Sequence, residues 1–260
     1  MIILHRYRLI LSLWKTNCLK IFEKVNSESD FYENSFENVK ILIELPLNSN
    51  MNMNNDLDNL FKLTPDYIEN VCKVAGSAFQ DDPVSVFIYP DENKRKQKLG
   101  YGFYMLYKYG IKIGVAFATS NNLEGIIMWL PPDKIYISFW TIMRYGGFHA
   151  MRKAGLKIKA IKRSMAIFKY EESRHKQLVP FDHWYLQNIA VNPEEQRKGY
   201  GGLLLRAMFK KIESEGLPIY LETNKEENLS FYQKYGFEIL EHVIIPETDV
   251  PLWCMLRKPR

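Results

Sequence analysis

Cysteine is scarce in this chain of 260 residues. Only Cys18, Cys72 and Cys254 occur, far apart and with no Cys-x-x-Cys pair. That excludes a disulfide scaffold and a cysteine-based zinc site, and it leans towards a reducing, cytoplasmic compartment. No apolar run approaches about 18 residues, so no membrane-spanning helix is expected. The five histidines, His5, His149, His175, His183 and His242, form no His-Glu-x-x-His spacing, and nothing in the sequence calls for a metal. There is no Gly-Lys-Ser/Thr, which excludes a nucleoside-triphosphate P-loop. Charge of one sign is lacking too. Lys plus Arg total 35 against 30 Asp plus Glu, a formal +5 that suits meeting anions but does not argue for nucleic-acid binding. What remains, 47% hydrophobic and 25% charged, is ordinary globular composition in a chain long enough to bury a sizeable core.

The first 59 residues read as an appendage. The apolar stretch Leu9–Trp14 is short, broken by Ser12, flanked by Arg6, Arg8 and Lys15, and followed by no small-x-small cleavage site. It is therefore read as a loose amphipathic or disordered segment, not a secretory signal. KILIEL, 40–45, is a strand candidate, and NSNMNMNNDLDN reads as a polar linker. The folded domain is expected over 60–260.

From there helices and strands mix. LFKL reads as a strand, and Thr64-Pro65 opens a helix carrying Ile68, Val71, Cys72, Ala75 and Phe79 that ends at DDP. A second helix over Lys94–Ile111 presents an aromatic face. VAFAT and EGIIMWL are strands across the turn signal SNN. Residues 134–178 read as helical and basic, with Glu171 and Glu172 the few acids among many cations, and are expected to be a solvated face or a flap over a binding cleft. HWYLQNIAV is a strand, LLLRAMFKKIESEG a helix, PIYLET a strand and ENLSFYQKYGF a short helix. EILEHVII and PLWCMLRK close the chain as two strands. The order implies a layered α/β (α+β) domain.

The segment Gln196-Arg197-Lys198-Gly199-Tyr200-Gly201-Gly202 joins a strand to a helix. Three glycines in four positions let backbone approach a ligand closely. The helix mouth behind them offers unpaired N–H groups and a positive dipole end, which suits a diphosphate. The dinucleotide fingerprint fails, because Leu204 stands where a third glycine is needed.

The pattern Gln/Arg-x-x-Gly-x-Gly/Ala, the preceding YLQNIAVNP, and the helix motif Asn228-x-x-x-Tyr232-x-x-x-Gly236-Phe237 resemble the GNAT acetyltransferase superfamily. The strong resemblance covers about residues 183–260. Its LET, NL-FY, GF and WCM-RKP stretches are most similar to the puromycin N-acetyltransferases, and AFQDDP…YPDENKRK resembles the acceptor-side start of the same enzymes. The resemblance implies a central mixed, mostly antiparallel sheet flanked by helices, with 134–178 a helical insertion before the cofactor-binding strand. It also implies transfer of an acetyl group from acetyl-CoA, without a metal, to a small-molecule amine such as an antibiotic or other toxic amine. A protein N-terminus or lysine as acceptor, or a non-catalytic acyl-CoA sensor, are the alternatives. No nucleic-acid or membrane partner is expected, and the oligomeric state is open.

The site residues follow from that resemblance. The strand before the loop leaves backbone groups of Ile189, Ala190 and Val191 free for the pantetheine arm and thioester. Gln196, Arg197, Lys198, Gly199, Tyr200, Gly201 and Gly202 cradle the diphosphate. Asn224 and Asn228 cap helices or bond the pantetheine arm. Tyr232 stands where the general acid stands, a phenol that keeps its proton at neutral pH and gives it to a thiolate. Glu222 is the first candidate for a base and His183 the second. Tyr101, Tyr104, Tyr107, Trp129 and Trp140 are the candidate lining of the acceptor pocket.

Overall fold

A computed structural model describes residues 59–155 and 158–259. The amphipathic segment, the KILIEL strand and the polar linker expected before residue 59 lie outside them. Seven strands form one sheet in the order β1-β2-β3-β4-β5-β7-β6, with β1 Phe61–Lys62, β2 Ala116–Ala118, β3 Gly125–Leu130, β4 Trp184–Val191, β5 Ile219–Thr223, β6 Glu238–Ile244 and β7 Pro251–Arg257. Every contact between neighbours is antiparallel except β4 with β5. β3 is buried along its whole length, which explains its unbroken apolar run: both faces are covered.

Eight α-helices lie among the described residues. α1 is Ile68–Ala78, α2 Pro83–Ile88, α3 Glu92–Ile113, α4 Phe139–Arg144, α5 Gly147–Ala154, α6 Ile158–Leu178, α7 Tyr200–Glu215 and α8 Leu229–Lys234. The DDP that was expected only to end α1 also starts α2, because Asp82 Oδ1 accepts from the Val84 and Ser85 amides and Pro83 occupies the first turn. The segment expected as helical over 134–178 is three helices. Gly146 and Gly155 break it in the left-handed conformation, at φ 93° and 58°.

One face of the sheet is covered by α7 and α8, through Leu204, Leu205, Met208 and Ile212 against Trp129, Leu186, Leu221 and Met255. The other face is covered in two parts. α1 and α3 pack on Ile126, Met128 and Ala190. α6 packs on Tyr220, Cys254 and Leu256, with Val84 and Phe87 of α2 beside it.

Candidate active site

β4 and β5 are parallel neighbours only through Trp184–Ile219 and Tyr185–Tyr220. Beyond that point β4 runs on for six residues and β5 for three with no pairing between them, so the sheet forks. A bulge at Gln187 marks the split: Met128 pairs with Asn188 but Trp129 with Leu186. A bulge reverses the faces of the residues that follow it. Accordingly Leu186 packs toward α7 while Asn188 takes a 2.5 Å hydrogen bond from the Tyr107 hydroxyl of α3, and Ala190 joins the α1–α3 cluster.

The register decides which backbone groups of β4 face the fork. Asn192 donates to the Glu124 carbonyl, and the Gly125 carbonyl is taken by Thr119 of the β2–β3 connection. Hydrogen bonds between β3 and β4 therefore use alternate residues, Ala190 among them. Ile189 and Val191 turn their N–H and C=O groups into the fork. The expectation of a free Ala190 backbone is corrected, since its groups are spent on the ladder with Ile126.

The loop after β4 ends at the mouth of α7. Arg197 at φ 64° and Gly199 at φ 90° are both left-handed, so the chain curls sharply into the helix. Curled loops of this kind gather amide N–H groups into anion-binding concavities. Gly199 is exposed and a Cβ there would meet nothing within 4 Å, so the side it presents is open to a ligand. Arg197 and Lys198 are exposed at the rim, with Lys198 held by Glu195 at 2.8 Å. Gln196 Nε2 donates to the Val191 carbonyl at 3.3 Å, closing the loop onto the strand. Tyr200 begins the helix, half-buried. Gly201 lies against the Phe231 ring, its Cβ position 3.3 Å away. Gly202 has a different task from the one expected. A Cβ there would sit 2.0 Å from the Tyr235 hydroxyl, so this glycine lets α8 close on α7 and does not face a diphosphate. The cradle fits a diphosphate: a left-handed glycine with open space, a helix mouth and cationic side chains at one point.

Tyr232 of α8 is buried in the cluster with Leu186, Leu204 and Leu221, its ring edge-on to Phe231 and Phe237. Burial pushes its phenol above the usual range, so it stays protonated. No described residue bonds its hydroxyl. The sealed side-chain polar atoms that lack a partner among the described residues are Gln80 Oε1 and Trp129 Nε1, so the Tyr232 hydroxyl is not sealed in. Tyr235 is engaged, accepting from Arg206 at 3.0 Å.

Glu222 lies two residues beyond the last β4–β5 pair, on the opposite face from Tyr232. Its carboxylate accepts from the hydroxyls of Tyr185 (2.7 Å) and Tyr220 (3.0 Å), and burial raises its pKa. Glu171 of α6, in the segment expected to be a solvated face or a flap over a binding cleft, lies on the same face of the sheet, between Ile167 and His175, which both pack on Tyr220. Burial first, then repulsion from Glu222, holds the Glu171 carboxyl well above its usual range. Asn224 is not on the pantetheine side. Its amide donates to the Pro251 carbonyl at 2.8 Å. Asn228 donates to Thr223 Oγ1 at 3.0 Å and makes no side-chain cap to α8.

His183 is corrected as a base. Its Nδ1–H donates to the Phe181 carbonyl at 2.6 Å, so its Nε2 must accept from His175 Nε2–H at 2.7 Å. Both ring nitrogens are used and the residue is buried. The expected aromatic lining does not converge either. Tyr107 and Trp129 are core, Tyr104 rests on His149, and Tyr101 and Trp140 are exposed. The residues the sequence reading missed are Tyr185, Glu171 and His175. The i, i+4, i+8 series Ile167, Glu171, His175 is the local signal for the last two; Tyr185 has none.

Among the described residues no helix is long and apolar enough to cross a membrane, and no group of three or more His, Cys, Asp or Glu is placed to hold a metal.

The profile of the acetyltransferase (GNAT) domain matches residues 161–239, which hold α6, the fork, the cradle and α8. An uncharacterised N-acetyltransferase of Schizosaccharomyces pombe is 29% identical over 194 residues, covering 70% of this chain and 76% of that protein. Solved structures agree in fold. One described as histone acetyltransferase HPA2 and related acetyltransferase, from Corynebacterium glutamicum, superposes with a TM-score of 0.52 at 18% identity, covering 78% of this chain and 96% of the other. The C-terminal condensation domain of Ebony, in complex with beta-alanyl-dopamine, gives 0.54 at 8%, over 76% and 97%. Arylalkylamine N-acetyltransferase 2 of Aedes aegypti gives 0.50 at 10%, over 77% and 98%. A forked β4–β5 pair and a glycine cradle at a helix mouth lie within residues 161–239, the part of the chain that matches the acetyltransferase (GNAT) domain, and the fold around them is that of the GNAT acetyltransferases.

Proposed function

We propose that the protein is an N-acetyltransferase that moves the acetyl group of acetyl-CoA to the nitrogen of a small cationic amine by direct attack, in the cytoplasm. The observation that carries this reading is the fork itself. It opens at Tyr185–Tyr220, with the Ile189 and Val191 amides outside the β3 ladder along one edge, the glycine cradle at its outer end and a buried carboxyl at its inner end.

In this reading the cradle of Gln196 to Gly201 holds the diphosphate, and the β4 edge receives the pantetheine arm. A β4 amide aimed at the thioester oxygen stabilises the oxyanion, a contribution of about 3 kcal/mol for one well-placed donor. Glu222 takes one proton from the ammonium so that the amine can attack. The tetrahedral adduct collapses, the C–S bond breaks, and Tyr232 gives its proton to the leaving sulfur. The second amine proton passes through solvent and restores the phenol. A carboxyl raised towards neutrality is a well-matched base, and a phenol held protonated is a well-matched acid.

Support for a small cationic acceptor comes from the acceptor face, where Glu222, Glu171 and the nearby Asp82 outnumber Lys225 and Lys176, the latter tied to Glu172. The amine-handling names of the superposable proteins are consistent with it. Release of free thiol from acetyl-CoA, followed over a panel of alkylamines, arylalkylamines and aminonucleosides, should show turnover with at least one of them. Tight CoA binding with no turnover on any amine would replace this reading with a sensor.

A further inference from the structure

The helical insertion contributes a carboxyl to the acceptor face. α6 lays Ile167, Glu171 and His175, one side chain per turn, along β5. Ile167 is fully buried in the cluster with Tyr220 and Cys254, and His175 stacks on the Tyr220 ring at 4.0 Å. Glu171 lies between these two anchors, and Tyr220 and Glu222 share one face of β5. The register is fixed twice more: Arg174 pairs with Glu241 of β6, and His175 bonds His183 at the start of β4.

Resting on the reading above, we propose that Glu171 is a specificity-determining residue: with Glu222 it forms a carboxyl pair that admits acceptors bearing a charged ammonium and leaves uncharged amines without a partner. The physical reason is the company the pair keeps. Tyr185 from β4, Tyr220 from β5 and His175 from α6 surround it, the last neutral because burial and His183 depress its pKa to about 3. Cys254 of β7 is buried beside Tyr220, and Tyr136 approaches Glu222 from the segment before α4. Asp82 adds a third carboxyl from the start of α2. Lys225 draws on Asp82, and Lys176 of α6 lies over the Tyr136 ring at 4.4 Å, tied to Glu172. Two carboxyls that share such surroundings keep a proton unless a cation replaces it. An ammonium supplies that charge and three donors; a neutral arylamine does not.

The test uses Glu171→Gln in the full chain, with Glu171→Asp as the charge-retaining control and thermal melts to verify folding. With ammonium acceptors near neutral pH, Glu171→Gln should lose about 10- to 100-fold in kcat/KM, mostly in KM, the range expected for one charge-assisted hydrogen bond. KM for acetyl-CoA should not move, and aniline-type acceptors, uncharged under the same conditions, should be acetylated as before. Glu171→Asp should restore part of the preference. The acid limb of the pH profile should also shift in Glu171→Gln, because one of two coupled carboxyls has gone. Equal losses for both acceptor classes, or none for either, would overturn the inference while leaving the acetyltransferase reading in place. If the wild type turns over no amine, melting-temperature shifts with phenethylammonium decide: a shift in the wild type that vanishes in Glu171→Gln supports the pair, and identical behaviour rejects it.

Discussion

Tyr232 and Glu222 stand on opposite faces of the sheet, either side of the fork, and each is shaped by burial. The Tyr232 ring is part of the core, so Tyr232→Phe keeps the packing and removes only the hydroxyl. The expected result is a kcat about 100-fold lower with both KM values unchanged, the usual size of a lost general acid. Steady-state kinetics check it, and an unchanged kcat would reduce Tyr232 to a packing residue. Position in sequence was enough to single out Tyr232, because the Asn-x-x-x-Tyr spacing and the following Gly236-Phe237 are local. Glu222 was legible for the same reason: period-two alternation puts it with Tyr220. His183 misled because its titration range suggested a base, while its actual partners, His175 and the Phe181 carbonyl, come from a distant helix and a turn.

Helix α7 and the loop that feeds it assign different work to neighbouring glycines. Gly199 sits at φ 90° and faces open space. Gly199→Asp adds backbone strain of about 1–3 kcal/mol and places a carboxylate at the diphosphate position. Calorimetric titration should show CoA affinity falling at least about 10-fold in a protein that still melts cooperatively; retained affinity would remove the loop from the site. Gly202→Val, in contrast, collides with Tyr235, so its first effect should be on stability. The glycine run was plain in the sequence, but which glycine serves ligand and which serves packing was not, because α8 arrives from 30 residues away. The bulge at Gln187 is a similar case. HWYLQNIAV reads as one regular strand, yet the bulge turns Asn188 and Ala190 to the α1–α3 side and ties Asn188 to Tyr107, 81 residues apart in the chain.

The whole molecule stores an opposition between its buried histidines and its buried carboxyls. His175, with a pKa lowered to about 3, and His183, also lowered, stay neutral in the fold because burial penalises the charged ring. The unfolded chain protonates them below about 6.5. Stability is therefore lost as pH falls below about 6.5, and for His175 the loss continues towards about 3, by at most about 1.4 kcal/mol per pH unit. Glu171 and Glu222 have raised values, so the fold binds their protons more tightly than the unfolded chain does. Their contribution is full below about 4.3 and is lost as pH rises through the folded values. Urea midpoints near pH 5 and pH 7 should show His175→Gln losing less on acidification than the wild type. An identical pH response would place the acid sensitivity elsewhere.

What the sequence by itself determined is what short-range chemistry encodes: the element order after residue 60, the glycine loop at a helix start, and the local spacing that places Tyr232 on a short helix and Glu222 on the same side of its strand as Tyr220. What only the tertiary structure decided is which distant groups meet: Glu171 on the same face as Glu222, His175 against His183, Ala190 in the ladder, and an aromatic face spent on the core. The reason is that periodicity and turn signals act within a few residues. A strand pair that stops pairing after two residues, and a long helix laid across it, set contacts that no local pattern contains.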